Sequence, residues 1–167
     1  MYYIMYSRRM TSNNPLEFSL LAFFAADHAE AANGKLYANG AYWNQLNLPS
    51  YPAVLPAITL AAVVEVPFGL LHSEHTIRMG LEDPDGRPLA LKVEGKFRVG
   101  GGPTMEYGDS TVIPIAVPVN GLVLPRPGRY TFTCSIDEKE MDTYSFRAIQ
   151  IPVALQFNIV PPQSEAS

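Results

Sequence analysis

An all-β sandwich of about seven to nine short antiparallel strands is the fold that this sequence predicts. Three observations carry the prediction. Apolar residues recur with a period of two, turn signals separate the alternating runs, and almost no run shows a helical period. Residues 129–136 are the clearest case. Tyr130, Phe132, Cys134 and Ile136 fall on one parity, and Arg129, Thr131, Thr133 and Ser135 on the other. That is a strand with one face buried and one face wet. Tyr130, Phe132 and Ile136 are therefore candidate core.

The elements follow in order. Phe18, Leu20, Ala22 and Phe24 share a parity and predict a first strand. Residues 25–32 either extend it or form one helical turn. Asn33-Gly34 marks a turn. Residues 35–38 and 41–43 read as two short arms around an Asn39-Gly40 hairpin turn, because both central positions of such a turn need positive φ. Residues 47–56 hold Pro49, Pro52 and Pro56 and read as a loop. Ile58, Leu60, Ala62, Val64 and Val66 predict a central strand. His75, Ile77, Met79 and Leu81 predict the next. Asp83-Pro-Asp-Gly86 is a turn, since proline presets φ and glycine supplies the left-handed position. Leu89, Leu91, Val93, Phe97 and Val99 form the return strand, and residues 100–109 a glycine-rich loop. Pro114 and Pro118 cannot donate ladder hydrogen bonds, so the strand through Ile113, Ile115, Val117 and Val119 belongs at a sheet edge. Tyr144 and Phe146 open the partner of the 129–136 strand. Ile149, Ile151, Val153, Leu155 and Phe157 finish the sheet.

The 167 residues make one domain, with residues 1–15 a flexible extension, 16–160 the sandwich and 161–167 a disordered tail. Translation starts at Met1 or at Met10. Hydrophobic residues make up 47% and charged residues 17%, enough for a core without staples. A net charge of −4 with no basic cluster beyond Arg8-Arg9 argues against nucleic acid. The apolar runs at 16–26 and 53–66 are too short or too polar to span a membrane. The first nine residues do not have the order of a signal peptide. Cys134 is the single cysteine, so an intrachain disulfide is ruled out and a thiolate zinc site is implausible. These features predict a cytoplasmic protein.

Two resemblances add to this reading. Gly128-Arg-Tyr130-Thr-Phe132 resembles the late strand of an immunoglobulin-like sandwich, whose tyrosine bonds back to upstream backbone two positions before a disulfide cysteine. Phe132 stands at that cysteine's place, as in a relative without the disulfide. The segments Ala26-Asp-His-Ala-Glu30, Asn33-Gly-Lys-Leu-Tyr37, Gly40-Ala-Tyr-Trp43, Glu82-Asp-Pro-Asp-Gly86 and Pro127-Gly-Arg-Tyr130 together resemble an uncharacterised bacterial family of small β-sandwich proteins. The resemblance implies an immunoglobulin-like antiparallel β-sandwich and implies no mechanism.

Candidate functional residues are few. Asp27, His28 and Glu30 form the densest titratable group, which would suit a base or metal ligand flanked by carboxylates, or a strand end holding the next turn. His72, Glu74 and His75 form a second group; His75 lies on the inward parity, where a hydrogen-bonded histidine is commoner than a ligand. Asp83 and Asp85 supply too few ligands for calcium. Gly100-Gly-Gly102 lacks the Lys-Ser/Thr of a phosphate loop. Tyr37, Tyr42, Trp43 and Tyr51 either make an exposed aromatic platform for a carbohydrate, peptide or partner, or Trp43 plugs one end of the sandwich.

The expectation is a non-catalytic binding or assembly module with no metal and no cofactor, taking a protein partner or small ligand at Asp27, His28, Glu30, Tyr37, Tyr42 and Trp43. The alternative is a hydrolase or metal-dependent enzyme built on Asp27, His28 and Glu30, with His75 in support. Apolar residues on both parities of the first strand, Leu21 and Phe23 against Phe18, Leu20 and Phe24, predict a homodimer formed through that strand or the N-terminal extension.

Overall fold

Burial alternates strictly along Glu74–Glu82, Pro88–Arg98 and Gly128–Ile136, and the strands sort into two sheets that face each other across the main core. A computed structural model describes residues 16–151. The first 15 residues, the tail at 161–167 and the expected strand positions Val153, Leu155 and Phe157 lie outside the described residues. The strands are β1 (Ser19–Ala32), β2 (Lys35–Ala41), β3 (Gln45–Leu48), β4 (Ala53–Pro67), β5 (Glu74–Glu82), β6 (Pro88–Arg98), β7 (Ser110–Leu124), β8 (Gly128–Ile136) and β9 (Lys139–Gln150). One sheet has the order β2-β1-β4-β7 and the other β3-β9-β8-β5-β6. All pairs are antiparallel except β3 with β9, which run parallel. No α-helix occurs among the described residues; a single 3-10 turn at Phe68–Leu70 leads from β4 toward β5.

The core lies between the sheets. Phe23, Leu60, Val64 and Val66 from one side meet Met79, Leu81, Tyr130, Phe132, Ile136 and Phe146 from the other, all essentially without solvent contact. The Phe132 and Phe146 rings stack with centroids 5.3 Å apart. Tyr130 is buried with its hydroxyl at the margin, where it donates to the Arg126 carbonyl at 2.6 Å and accepts from the Arg126 N–H at 3.3 Å. β7 sits at a sheet edge, with Pro118 opposite Thr59 and Pro114 opposite Val63. The Asp83 side chain closes the β5–β6 turn by accepting from the Asp85 and Arg87 amides at 2.8 and 2.9 Å.

One open alternative is settled and three local expectations are corrected. Residues 25–32 extend β1 as strand, without a helical turn. Asn39 and Gly40 do not turn the chain, because β2 runs unbroken from Lys35 to Ala41 and the hairpin turn is Asn33-Gly34, at φ 51° and 71°. Gly40 is glycine for another reason. At φ 61° it lies against the Asp27 side chain, and an added Cβ would come within 2.6 Å of Asp27 Cγ. The expected loop at 47–56 contributes the end of β3 and the start of β4. Finally, β1 does not keep one parity. A bulge between Leu20 and Ala22 turns Phe23 and Ala25 into the core and leaves Ala22, Phe24 and Ala26 on the outer face.

Candidate functional site

β1 sets the positions of the first candidate group. Successive strand residues point to opposite faces, so Asp27 diverges from His28 and Glu30. All three are exposed. Among the described residues no group of three or more His, Cys, Asp or Glu side chains could hold a metal ion together.

The aromatic group also separates. Tyr37 stands on β2 opposite Glu30 and is 54% exposed. Tyr42, at φ 61°, lays its ring on Phe24 with centroids 4.5 Å apart. Trp43 turns into the sandwich, edge-on to Phe146 at 5.1 Å, and its carbonyl accepts from the Tyr144 hydroxyl. Burial, with the nearby Tyr42 phenol, pushes the Tyr144 hydroxyl up to about 12, so it stays a donor at neutral pH. The three aromatics form no shared platform.

The remaining candidates are held by the fold. His75 is buried, and both ring nitrogens face protein acceptors, Asp137 at 2.7 Å and the Leu70 carbonyl at 2.8 Å. Burial, and then the Asp142 charge, pushes the Cys134 thiol up to about 12, which leaves no thiolate for nucleophilic work.

What the strands do assemble is an outer face of β4 and β7 with little charge, exposed at Val54, Val112 and Val123 and buried at Thr59 and Ala61. On β4, Val54, Thr59, Ala61 and Val63 alternate with core residues and so point away from the five-stranded sheet. Cross-strand register completes the rows. Ala22, Val63 and Pro114 form one, Phe24, Ala61 and Ala116 the next, and Ala26, Thr59 and Pro118 a third. Val54 pairs with Val123 further along; these two are 61% and 49% exposed. Phe24, Ala26, Ala29 and Ala61 are buried in a small second cluster, with Ala22, Leu36, Ala116 and Tyr144 against it; Tyr144 also packs on the main core. β7 carries no charged residue, and the single charge of β4, Glu65, lies at one end of the face, where it accepts from the Ser110 hydroxyl at 2.6 Å.

The outer face of the other sheet differs. Arg78 pairs with Glu94 at 2.8 Å and reaches Glu138 at 3.5 Å; Lys96 pairs with Glu74 at 2.8 Å; Thr131 and Ser145 share a hydrogen bond of 2.9 Å. Outer faces of antiparallel sandwiches are ordinarily of this polar kind. A separate apolar groove of about 300 Å³ opens between β6 and β7, lined by Leu89, Leu91, Val119, Leu122 and Pro125.

Residues 21–149, from β1 into β9, match the profile of DUF6941, a family of unknown function. The chain belongs to that family. The DUF6941 match spans both sheets, including β4 and β7. No curated protein sequence matches the chain. Among solved structures, the Pseudomonas fluorescens alkylpurine DNA glycosylase AlkC, bound to DNA containing an abasic site analog, is similar at 11% identity and a TM-score of 0.46, over 80% of this chain and 30% of that one. A Listeria innocua β-glucosidase in complex with glucose is similar at 10% identity and a TM-score of 0.44, over 82% of this chain and 16% of that one. The DUF6941 chain thus spans under a third of the first protein and about a sixth of the second.

Sequence reasoning found the exposed polar candidates and missed this face as a site. Its signal is present all the same. Thr59, Ala61 and Val63 on β4, and Pro114, Ala116 and Pro118 on β7, occupy the parity opposite the core, where a half-wet strand would carry charge.

Proposed function

We propose that this DUF6941 protein is a non-catalytic binding and assembly module whose working surface is the outer face of β4 and β7 around the exposed Val54 and Val123. The observation that supports this most is the contrast between the two outer faces, one laced with ion pairs and the other free of charge on β7 and on β4 from Val54 to Val63. Val54, Val112 and Val123 stand exposed on that face, and exposed apolar residues that cluster mark interaction sites. The enzyme alternative loses support from geometry, because Asp27 and His28 point to opposite faces and both nitrogens of His75 are taken.

We read the module as an immunoglobulin-like domain working in the cytoplasm. In support, β1, β4 and β7 stand in the order of strands A, B and E, and β9, β8, β5 and β6 in that of G, F, C and C′. Tyr130 at the start of β8 bonds back to Arg126, in the manner of a tyrosine corner.

The experiment is a quantitative capture from source-cell extract with the full chain as bait, wild type against Val54→Lys/Val123→Lys. Loss of specific bound proteins from the variant alone is expected. Identical capture profiles would defeat the assignment of this face.

A further inference from the structure

We propose that the apolar groove between β6 and β7 is occupied by this chain's own residues 152–160, which cross the end of the sandwich from β9 and seat Phe157 and Ile159 in it. The proposal goes beyond the reading of the outer face and does not depend on it.

The groove is a gap in the cover of the core. His75, Ile77, Met79 and Leu81 of β5 are buried, whereas Leu89, Leu91, Val93 and Phe97, the inward residues of β6, are only half-buried. Ile113, Ile115 and Val117 on β7 are half-buried too. β6 and β7 are edges of their sheets, so no strand of the described residues closes that side. The one polar side chain that lines the groove is Asn120. Small-molecule pockets hold several placed polar groups that orient the ligand. A groove of about 300 Å³ with a single amide suits apolar side chains better.

The sequence beyond β9 supplies them. Residues 151–160 read Ile-Pro-Val-Ala-Leu-Gln-Phe-Asn-Ile-Val. Ile151, Val153, Leu155, Phe157 and Ile159 share one parity, opposite Gln156 and Asn158. That is the pattern of a strand with one face buried. Between Arg147 and Glu165 the sequence carries no charge, so the apolar parity needs cover. Its own sheet does not provide it. β8 starts at Gly128, opposite Ala148, and β3 ends at Leu48, opposite Gln150. The Ile151 amide still donates to the Leu48 carbonyl at 3.0 Å, but neither neighbouring strand continues past it.

Reach is the deciding argument. Antiparallel pairing of β9, β8, β5 and β6 puts the end of β9 and the start of β6 at the same end of the sandwich. Only β8 and β5 stand between them. Three strand spacings of ~4.8 Å come to roughly 14 Å, which about five residues at ~3.3 Å span. Residues 152–156 thus make the crossing, and Phe157 arrives beside Leu89 and Leu91. Pro161 and Pro162 lack the N–H to carry a strand further. Tethering holds the segment at a local concentration of roughly millimolar, ahead of a free apolar ligand.

The test is cross-linking of the full chain with a short bis-maleimide. Cys134 is buried and its thiol is pushed up to about 12, so it does not compete. Ala90→Cys, exposed on the groove rim, and Asn158→Cys, on the outward parity, should join within one chain at a mass near 18.4 kDa. Adding Phe157→Asp should abolish the cross-link, because a carboxylate does not enter an apolar groove. Circular dichroism identical to wild type shows that each variant is folded. Thr104→Cys lies in the loop at the far end of β6 and should not join Asn158→Cys. Absence of the cross-link between positions 90 and 158 overturns the proposal. A cross-link that survives Phe157→Asp, or that forms equally from position 104, also overturns it, since random encounter then explains the product. A product of twice the chain mass alone overturns it as well, because the groove then takes the segment of a second copy.

Discussion

His75 Nδ1 lies 2.7 Å from Asp137 Oδ2, a contact that joins the start of β5 to the tip of the β8–β9 hairpin. The other carboxylate oxygen of Asp137 accepts from the Thr76 amide at 2.9 Å, and Nε2 of His75 reaches the Leu70 carbonyl at 2.8 Å. Phe18 packs edge-on to the imidazole at 4.8 Å. One buried ring thus ties together the segment before β1, the 3-10 turn and a hairpin. The hairpin needs the tie. Asp137 and Glu138 hold φ of 48° and 68°, a conformation that favours Asn-Gly and strains other residues.

His75→Ala should therefore destabilise the protein by about 2–3 kcal/mol, since it strands the Leu70 carbonyl and releases Asp137. Urea unfolding followed by circular dichroism measures the loss. A change within ~0.5 kcal/mol, the range of an ordinary surface site, would refute the tie.

Acid should weaken the same contact. Burial works against the Asp137 carboxylate, but the Thr76 amide and the His75 ring outweigh it and hold its pKa below the usual aspartate value. A depressed folded pKa means stabilisation that is fully present above the unfolded pKa of ~3.9 and lost as pH falls through the lower folded value. Asp137→Asn should accordingly flatten the acid limb of a stability-against-pH curve and leave its shape near neutrality unchanged. An unaltered acid limb would show that the carboxylate contributes nothing.

Tyr130→Phe isolates the corner at the start of β8. The ring keeps its place in the core, stacked on Phe146 at 5.6 Å, while the hydroxyl bond to the Arg126 carbonyl disappears. A cost of about 1–2 kcal/mol is expected, with the denaturant slope unchanged. Equal midpoints for the two proteins would mean that the bond adds no stability.

The sheets were legible in the sequence wherever one face is buried and the other wet. β8 and β5 carry that alternation in pure form, and the prolines of β7 announced its edge. Legibility failed where a residue type answers to a contact distant in sequence. Gly40 looked like a turn because Asn-Gly favours positive φ; its positive φ instead serves a close approach by Asp27 across the β1–β2 ladder. The bulge after Leu20 left no local mark, and it decides which of Phe23 and Phe24 enters the core. The candidate site was harder still. Attention to titratable side chains led to Asp27, His28 and Glu30, of which the strand pleat turns Asp27 away from the other two, and passed over an absence of charge on β4 and β7 that shows only once these two strands stand side by side.

Gly40 and Asp27 give the sharpest test of one such long-range contact. Alanine at position 40 must hold φ 61°, which costs about 1–2 kcal/mol for any L-residue. Its Cβ would also overlap the Asp27 carboxyl group and lie 3.0 Å from the Asp27 Cβ. The carboxyl group is exposed and can swing away; the Cβ cannot. Gly40→Ala should then cost about 2–3 kcal/mol, more than the backbone term alone. Placing the same change in an Asp27→Ala background removes the carboxyl overlap and should return part of that cost, leaving the φ penalty and the residual Cβ contact. Urea midpoints for the four proteins of the double-mutant cycle give the coupling, which is expected to exceed ~0.5 kcal/mol. Strict additivity would mean that Asp27 does not press on Gly40, and the glycine would then be explained by φ alone.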